Sequence, residues 1–246
     1  MTRRRWIADE VNGNTAALVG SHAAHLVRVL RAEVGQKFDI VTGDAVRRGR
    51  IVSITKERVE FALGEEQALK PAPEVTLALA IFKFDRMEWA IEKCTEIGVA
   101  RIIPIVARRT EPHLAAAAMK RLERWQRIAL QATEQSRRSA PPEIATPVKL
   151  KNLGSAGAPP ASQPPTGTTN CRIVLAESEG NPRLRDVLRP QLPGVALAIG
   201  PEGGWTAEEL WWFRDSGWIA ASLGDTILRA ETAAIVATAL AVDSLR

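Results

Sequence analysis

Five consecutive apolar residues, 195–199, run directly into the segment Gly200-Pro201-Glu202-Gly203-Gly204. An uninterrupted apolar run of this length is typical of a strand that is covered on both faces, as in a parallel sheet. Three glycines after such a strand leave backbone N–H groups open to a ligand. The segment has neither the GxxxxGK[ST] nor the GxGxxG spacing, and its carboxylate would repel a pyrophosphate. The sequence therefore predicts a site at a strand end for a cationic or hydroxyl-bearing ligand rather than a phosphate.

A second segment, residues 223–234, has a related character. Its sequence, LGDTILRAETAA, carries little side-chain polarity before Arg229 and then becomes a run of small residues. Alanine is the strongest helix former, so residues 230–245 are predicted to be helical. Such small side chains allow the helix to pack closely against a neighbouring backbone.

The chain from residue 75 onward alternates between strand and helix patterns. Strands are predicted at 75–82, 101–106, 172–177, 195–199 and 218–223, with helices at 85–97, 115–138, 183–188, 207–216 and 230–245. This alternation indicates an α/β fold with a parallel sheet covered by helices on both faces. Ligands of such sheets bind beyond the carboxyl ends of the strands. Glu177, the glycine turn and Leu223-Gly224 all follow strand ends, so we expect them to meet at one edge.

The first 70 residues have a different pattern, with short strands predicted at 38–42, 50–55 and 58–63. One helix is predicted at 22–31, capped by Ser21. Many short strands and one small helix indicate a compact β-barrel. Pro71-Ala72-Pro73 breaks the chain, which gives two domains, 1–70 and 71–246. Residues 151–170 are rich in Gly, Pro, Ser and Thr and are predicted to form a flexible surface loop.

The basic residues are unevenly distributed. Residues 1–150 carry 25 Lys and Arg against 18 Asp and Glu, whereas residues 151–246 carry 8 against 10. This division favours a polyanion held by the first part and a small ligand held by the second, although a solvated basic surface is an equally simple explanation. No apolar stretch is long enough to span a membrane and no signal-peptide core follows the N-terminal arginines, so a cytoplasmic protein is expected. Cys94 and Cys171 lack metal-ligand spacing and are expected to be apolar filler, with no metal bound.

Several segments in the same order resemble the bacterial 16S ribosomal RNA (uracil-N3)-methyltransferase family, the RsmE group of the SPOUT superfamily. They are LAIGPEGGWTAEE at 197–209, LGDTILRAETA at 223–233, HLVRVLR at 25–31, FKFDRMEWAIEKCTEIGV at 82–99 and RWQRIALQATEQSRR at 124–138. The resemblance implies a SPOUT-type parallel sheet with a C-terminal deep trefoil knot, preceded by a small PUA-like β-barrel that binds RNA. It also implies S-adenosylmethionine as methyl donor, a uridine N3 of 16S ribosomal RNA in the small ribosomal subunit as target, and a homodimer.

The resemblance places the donor pocket on the two C-terminal segments and the strand before them. The implied donor-binding residues are Leu175, Glu177, Gly200, Pro201, Glu202, Gly203, Gly204, Leu223, Gly224, Ile227, Leu228 and Thr232. Glu177 has an alternative as a solvated loop acid. The implied catalytic residues are Arg229, as a cation that stabilises the charge developing on uracil, and Glu202. Arg229 could instead be buried and paired with Glu231 or Glu202, and either carboxylate, or none, could accept the uracil proton.

RNA contact is expected from the basic first two thirds of the chain. The candidate residues are Arg28, Arg31, Arg47, Arg48, Arg50, Lys83, Arg86, Arg108, Arg109, Arg137 and Arg138. For each one, a solvated surface charge is the alternative. Trp125, Trp211 and Trp212 lie at helical positions and are expected in the core rather than stacked on bases. A noncatalytic RNA-binding assembly factor remains a second functional hypothesis, and a nicotinamide-dependent enzyme a third, which lacks the glycine fingerprint.

Overall fold

The computed structural model describes residues 5–43, 45–68, 74–136, 138–154, 171–177, 180–189 and 192–245. The predicted boundary at 71–73, Arg137 and the 155–170 part of the predicted loop lie outside these ranges. The chain divides into two compact units, Met1–Pro71 with Thr133–Ala140 and Ala72–Ala132 with Pro141–Arg246. Thr133–Ala140, which the sequence analysis places in the second domain, thus groups with the first unit. One reason is that Glu134 Oε1 lies 2.8 Å from His22 Nε2.

In its described residues, the first unit contains a six-stranded sheet, one short helical segment and the end of a long helix, Pro112–Ser136. Its strands are β1 (Arg5–Ile7), β2 (Glu10–Asn12), β3 (Thr15–Val19), β4 (Lys37–Thr42), β5 (Ala45–Ile54) and β6 (Arg58–Ala68). The order across the sheet is β1-β4-β5-β6-β3-β2, and only the pair β1 and β4 is parallel. The strands predicted from residue 38 onward are present, whereas β1, β2 and β3 were not predicted from their short patterns.

This sheet has to curl because its two edges are joined by two residues. Ile7 pairs with Val41 at one edge, and Glu10 pairs with Ala17 at the other. Three residue steps span at most about 11 Å, whereas the outer strands of a flat six-stranded sheet lie about 24 Å apart. The two edges therefore meet, as the β-barrel prediction requires. Gly49 reflects the crowding inside, because a Cβ there would lie 2.5 Å from Ile40 Cγ1.

The predicted helix at 22–31 is shorter and less regular than expected. Helix α1 (Gly20–Ala24) continues into a π-helical turn, His25–Val29. Val19 occupies the N-cap without a side-chain cap, so the predicted capping role of Ser21 is wrong. Asp9 holds this end instead, since its carboxylate accepts from the Val19 N–H at 2.8 Å and lies 2.9 Å from His22 Nδ1.

The second unit is an α/β fold built on a parallel sheet, as predicted. Its strands are β7 (Glu74–Ala80), β8 (Arg101–Val106), β9 (Glu143–Ile144), β10 (Val148–Lys149), β11 (Cys171–Leu175), β12 (Gly194–Ile199) and β13 (Ile219–Ala221). Its helices are α2 (Phe84–Ile97), α3 (Pro112–Ser136), α4 (Leu184–Val187), α5 (Ala207–Asp215) and α6 (Ala230–Ser244). The strand order is β10-β8-β7-β12-β11-β13, with β9 beside β8, and every pairing is parallel.

The two faces of this sheet carry different cores. Strand β7 sends Leu77 and Leu79 to one face, where α6 packs against α2, α4, β7 and β12. It sends Ala78 and Ala80 to the other, where small side chains leave room for the bulky rings around α5. Leu150 and Leu153 are buried on this second face, in a short 3₁₀ turn, Leu150–Asn152, and the residue after it. The start of the predicted 151–170 loop is therefore packed rather than free.

The tryptophans of the second unit do not all follow the core prediction. Trp125 is fully buried, and Trp212 packs edge-on against Phe213 with ring centroids 5.3 Å apart. Trp211 is 68% exposed, so its predicted core position is wrong. The reason is helical geometry. Phe213 on α5 faces the sheet, and Trp211, two positions earlier, lies on nearly the opposite side of the helix.

Cys94 lies at the centre of the α2 and α6 contact. Its side chain is fully buried, and the Thr238 hydroxyl donates to its sulfur at 3.4 Å. Burial raises the pKa of the Cys94 thiol to about 12. Cys171 is half-buried, and burial also raises its pKa. None of the helices in the described ranges combines the length and apolarity needed to cross a bilayer.

Candidate functional site

A cavity of about 600 Å³ lies at the carboxyl edge of the parallel sheet in the second unit. Its walls come from the segments that follow β11, β12 and β13, and from the first turns of α6. Parallel strands end at the same edge, so the three segments meet although they are far apart in the chain. The expected convergence of Glu177, the glycine turn and Leu223-Gly224 is what the structure shows.

The glycine turn after β12 is held in a fixed shape. The Gly204 N–H donates to the Pro201 carbonyl at 2.8 Å, and Gly204 has a φ of +70°, which favours glycine. The Trp205 indole N–H donates to the Leu175 carbonyl at 3.1 Å. A Cβ at Gly200 would lie 3.2 Å from the same indole nitrogen, so the ring packs tightly under the turn. The turn is thereby tied to the end of β11.

Arg109, in the segment after β8, braces the other side of this turn. Its guanidinium donates to the carbonyl oxygen of Gly203 at 2.5 Å and to that of Trp205 at 3.4 Å. A Cβ at Gly203 would lie 3.3 Å from Arg109 Cδ. The absence of a side chain at Gly203 is therefore what lets the arginine reach the turn.

The start of α5 is fixed by a buried carboxylate. Thr206 and Glu209 form a capping box, in which the Glu209 N–H donates to Thr206 Oγ1 at 3.2 Å and the Thr206 N–H to Glu209 Oε2 at 2.8 Å. Glu209 Oε1 also accepts the Arg108 backbone N–H at 2.7 Å. One side chain thus joins the helix to the segment that carries Arg109.

Arg86 of α2 lies at the cavity between two carboxylates. Its NH1 group donates to Glu202 Oε1 at 2.5 Å, and its Nε lies 3.9 Å from Glu231 Oε1. Glu231 is only 5% exposed, and among the described residues its buried Oε2 atom has no hydrogen-bond partner. Burying an unpaired carboxylate oxygen is unfavourable, so a hydrogen-bond donor close to Glu231 would stabilise the folded state.

Arg229 occupies the N-cap position of α6 and lines the cavity. Its side chain is exposed, and it makes no salt bridge among the residues that the structure describes. The alternative in which Arg229 is buried and paired with Glu231 or Glu202 is therefore wrong, because Arg86 faces both carboxylates. The guanidinium of Arg229 stands at the positive end of a four-turn helix.

Eleven of the twelve predicted donor-binding residues line the cavity. These are Leu175, Glu177, Gly200, Pro201, Glu202, Gly203, Gly204, Leu223, Gly224, Ile227 and Leu228. Thr232 is not among the lining residues. Ala230 and Ala233, three positions apart on α6, face the cavity, and a residue two positions after Ala230 points elsewhere.

The sequence analysis missed part of the lining. The further residues are Arg86, Arg109, Ala176, Ile199, Trp205, Leu210, Ala221, Ser222, Thr226, Ala230 and Ala233. Most of them are direct sequence neighbours of predicted positions, as Ala176, Ser222 and Thr226 are. Arg86 and Arg109 carry no such signal, and the sequence analysis assigns them to RNA.

The other RNA candidates of the second unit are surface residues. Lys83 is exposed, and so is the side chain of Arg108, whose backbone N–H is bound to Glu209. Arg86 and Arg109 instead make the contacts described above, with Glu202 and with the glycine turn.

The residues of the first unit that are predicted to bind RNA are of two kinds: some side chains are exposed, and others are bonded to groups within the barrel or partly buried. Arg28, Arg31 and Arg50 are exposed. Arg47 donates to the carbonyl oxygens of Gly13 and Gly64 and to the Asn14 side chain, and Arg48 pairs with Asp39 at 3.0 Å. Arg138 is half-buried, and burial lowers the pKa of its guanidinium.

The cavity offers a ligand three kinds of contact. Apolar surface comes from Leu175, Leu223 and Leu228, and polar contacts come from the backbone of the three turns. Charged groups of both signs come from Glu177, Glu202, Arg86, Arg109 and Arg229. This combination suits a ring with polar edges that carries charged groups nearby. Among the described residues, no cluster of His, Cys, Asp and Glu could hold a metal ion.

A parallel sheet with a ligand cavity at its carboxyl edge defines an α/β protein that binds a small molecule beside a glycine turn. Residues 69–242 match the RNA methyltransferase domain, and residues 20–63 match the RNA methyltransferase PUA domain. The chain is 34% identical over 236 residues to the ribosomal RNA small subunit methyltransferase E of Synechocystis sp., covering 94% of this chain and 74% of the relative. The corresponding Mycobacterium bovis protein is 30% identical, covering 92% and 85%.

Solved structures agree with these relatives. Ribosomal RNA small subunit methyltransferase E from Neisseria gonorrhoeae, bound to S-adenosyl methionine, has a TM-score of 0.78 at 28% identity and covers 97% of this chain and 96% of its own. A methyltransferase from Legionella pneumophila, in complex with the same cofactor, has a TM-score of 0.79 at 30% identity and covers 98% and 97%. The chain therefore belongs to the ribosomal RNA small subunit methyltransferase E family, and the RsmE resemblance is confirmed.

Proposed function

We propose that this protein transfers a methyl group from S-adenosylmethionine to N3 of a uridine in the 16S ribosomal RNA of the small ribosomal subunit. The observation that carries the proposal is the cavity at the carboxyl edge, whose lining includes eleven residues assigned to donor binding from the sequence. The chain that forms this cavity belongs to the ribosomal RNA small subunit methyltransferase E family. A cytoplasmic location follows from this substrate.

The residues of the cavity fit S-adenosylmethionine. A volume of about 600 Å³ is in the range of cofactor sites, and Leu175 and Leu228 provide apolar surface for a purine ring. Backbone groups of the glycine turn can meet the ribose and the adenine edge. Glu202 supplies negative charge for the cationic part of the donor. When bound, the donor supplies an electrophilic methyl group: N3 gains it through its lone pair, and the sulfur keeps the electrons of the broken bond.

Arg229 is assigned as the cation that stabilises uracil. Loss of the N3 proton to solvent or to a carboxylate leaves negative charge shared with the ring oxygens. The exposed guanidinium and the first N–H groups of α6 present positive charge at the cavity, where that charge develops. Because Arg229 has no salt bridge among the described residues, it is available for this contact without first breaking an ion pair. Glu202, already an ion-pair acceptor, is assigned to ligand binding beside the reaction centre.

The N-terminal barrel is proposed to bind RNA, with residues 1–70 as the PUA-like domain and 71–246 as the methyltransferase domain. Residues 20–63 match a PUA domain of RNA methyltransferases, which supports this division. Arg28, Arg31 and Arg50 are exposed and suited to phosphate contacts. Arg47 and Arg48 contribute mainly to the barrel, since their guanidinium groups are engaged within it.

We also propose that the C-terminal part forms a deep trefoil knot. The path of the chain supports it: after the edge strand β13, α6 returns past β11 to pack against β12, β7 and α2. Such a return over the intervening strand is the path on which a chain end can pass through an earlier loop. Knots are rare in proteins, so this feature would be specific to the family.

A homodimer is proposed as the working unit. Helix α6 is apolar around its circumference, and its charged residues are only Glu231 and Asp243. A helix of that kind is covered on all sides in a stable protein. Leu240 of α6 is 37% exposed and Trp89 of the adjacent α2 is 47% exposed, so an apolar surface on this helix pair is left for a second copy.

The function is tested by incubating purified protein with labelled donor and small ribosomal subunits that lack the modification, then mapping methylated nucleosides by mass spectrometry. N3-methyluridine at one position is the expected product. Methylation at another atom would overturn the uridine N3 assignment. Calorimetry that shows no binding at millimolar S-adenosylmethionine would overturn the methyltransferase proposal and favour the noncatalytic assembly factor.

A further inference from the structure

Arg86, which lines the cavity, contacts two carboxylates unequally. Arg86 makes a close hydrogen bond with Glu202, whereas its distance of 3.9 Å to Glu231 is too long for a hydrogen bond. Glu202 belongs to the glycine turn and Glu231 to the first turn of α6. A single guanidinium thus lies between a carboxylate that lines the cavity, Glu202, and a buried carboxylate beside it, Glu231.

The two carboxylates differ in solvation. The Glu202 side chain is 34% exposed, so water can solvate part of its charge. The Glu231 side chain is 6% exposed, and its Oε2 atom is buried with no hydrogen-bond partner in the part of the chain that the structure describes. The more deeply buried carboxylate would gain more from a guanidinium donor, because an unpaired buried charge is costly. A shift of about 1 Å by Arg86 would bring its Nε within hydrogen-bond distance of Glu231 Oε1.

A cationic ligand and Arg86 compete for the same carboxylate. Glu202 and Glu177 are the carboxylates that line the cavity, and Glu177 is exposed beyond the end of β11. A positively charged ligand group that approaches Glu202 meets Arg86, a like charge that is destabilising at short range. Binding of a cation is therefore easier if Arg86 has another acceptor nearby, and Glu231 is that acceptor.

We propose that Arg86 and Glu231 set the charge specificity of the site: Arg86 neutralises Glu202, and moves to the unsatisfied Glu231 when a ligand cation takes its place. This inference rests on the proposed function and goes beyond it, because it assigns two residues a role in discriminating ligands by charge. Arg86 is a positioning residue and Glu231 its alternative acceptor. The cation can be the ammonium or the sulfonium of the donor.

The ammonium and the sulfonium can be distinguished with three ligands that share an adenosine group. Adenosine has neither cation, S-adenosylhomocysteine has the ammonium, and S-adenosylmethionine has both; the last two ligands also share a carboxylate. Calorimetry gives the dissociation constant of each. The ratio to adenosine measures the preference for the charged amino-acid group, and the ratio of S-adenosylmethionine to S-adenosylhomocysteine measures the preference for the sulfonium, because the carboxylate is common to both. A change that appears for both amino-acid-bearing ligands identifies the ammonium, whereas a change for S-adenosylmethionine alone identifies the sulfonium.

The expected changes are opposite in the two variants. Arg86→Gln removes the competitor, so the preference for the cationic ligand over adenosine rises about fivefold. Glu231→Gln removes the alternative acceptor, so Arg86 stays on Glu202 and the preference falls about fivefold. In the double variant the Glu231→Gln effect disappears, because its origin is Arg86. The double variant also avoids a buried unpaired charge, which keeps the test possible if Arg86→Gln alone folds poorly.

The matched control is Arg124→Gln. Arg124 also pairs with a carboxylate of α2, with distances of 2.7 Å and 2.8 Å to the two Glu88 oxygens, but it does not line the cavity. The charge preference of the Arg124→Gln variant should equal that of the unchanged protein. If the unchanged protein binds the donor and the charge preference is the same in all variants, the inference is wrong and the proposed function stands. If the unchanged protein binds none of the donor-related ligands, the proposed function itself fails.

Discussion

The Trp205 indole nitrogen and the Leu175 carbonyl oxygen are 3.1 Å apart and hydrogen-bonded, which joins the turn after β12 to the end of β11. Both residues line the cavity. The bond therefore fixes the separation of two of its walls, and the stability of the site can be tested through it.

Trp205→Phe removes this hydrogen bond while keeping an aromatic ring against Phe213, whose centroid lies 4.9 Å away. The variant should lose about 1 kcal/mol of unfolding free energy, since the Leu175 carbonyl is left without its donor. Donor affinity should fall severalfold. Urea unfolding and calorimetry measure the two effects. Trp211→Phe, at the 68% exposed neighbour on α5, is the control and should change neither; equal effects in both variants would contradict the role of the bond.

Gly204→Ala tests the backbone of the glycine turn. With a φ of +70°, an alanine there should cost about 1–2 kcal/mol, although a Cβ would have space. Gly154→Ala is the matched control because it has open space around it and no positive φ. Thermal unfolding of both variants gives the comparison. A neutral result at Gly204 would show that the turn tolerates another conformation.

Glu209→Ala removes the carboxylate that joins α5 to the segment carrying Arg108. Two backbone N–H groups lose their acceptor, so unfolding free energy should fall by about 2–3 kcal/mol. Glu208→Ala, at an exposed position of the same helical turn, should change stability by less than about 0.5 kcal/mol. Denaturant titration of the two variants is the measurement, and a similar loss in both would sink the argument.

Cys94 makes stability depend on alkaline pH. Its thiol has a pKa near 9.0 when solvated and about 12 when folded, so the folded state keeps the proton over a range in which the unfolded chain loses it. The raised pKa contributes stability that is fully present below pH 9 and is lost as pH rises toward 12, by about 1.4 kcal/mol per pH unit. The unfolding free energy of the unchanged protein should therefore fall more steeply from pH 8 to pH 10 than that of Cys94→Ala. Parallel curves for the two proteins would contradict the prediction.

Arg229→Ala should slow methyl transfer about 10²-fold in single-turnover reactions while donor affinity changes little, because the proposed guanidinium contact forms as charge develops on uracil. Arg183→Ala is the control. Arg183 pairs at 3.2 Å with Asp225, which lies in the same segment as Arg229, but Arg183 does not line the cavity. Normal single-turnover rates in Arg229→Ala would refute the assignment.

The sequence predicts those strands of the parallel sheet that are apolar runs, whereas the two-residue strands β9 and β10 were not predicted. Strand β8 has the predicted bounds, 101–106, and the turn after β12 lies where the glycines indicate. The short strands β1, β2 and β3 carry too few residues for a period-two pattern, so they are visible only through their pairing. Local periodicity therefore explains which elements were predicted and which were missed.

The site was predicted where its residues adjoin a strand end, and missed where a long side chain enters from elsewhere. Arg86 precedes its partner Glu202 by 116 positions, and Arg109 precedes Gly203 by 94. Nothing in the charge of an arginine indicates whether it points to solvent or to a carboxylate. The same argument covers Arg229, which is exposed, whereas Arg86 faces the two carboxylates.

The cavity walls come from the ends of three strands and from the start of α6, the last helix, which packs against β7 and α2, the first strand and first helix of the unit. No fragment that stops before this helix can hold the ligand, and no short peptide copied from the glycine turn can do so either. Ligand binding therefore reports on completed folding of the whole unit. A donor analogue could serve as a probe for the moment at which the last helix docks during refolding.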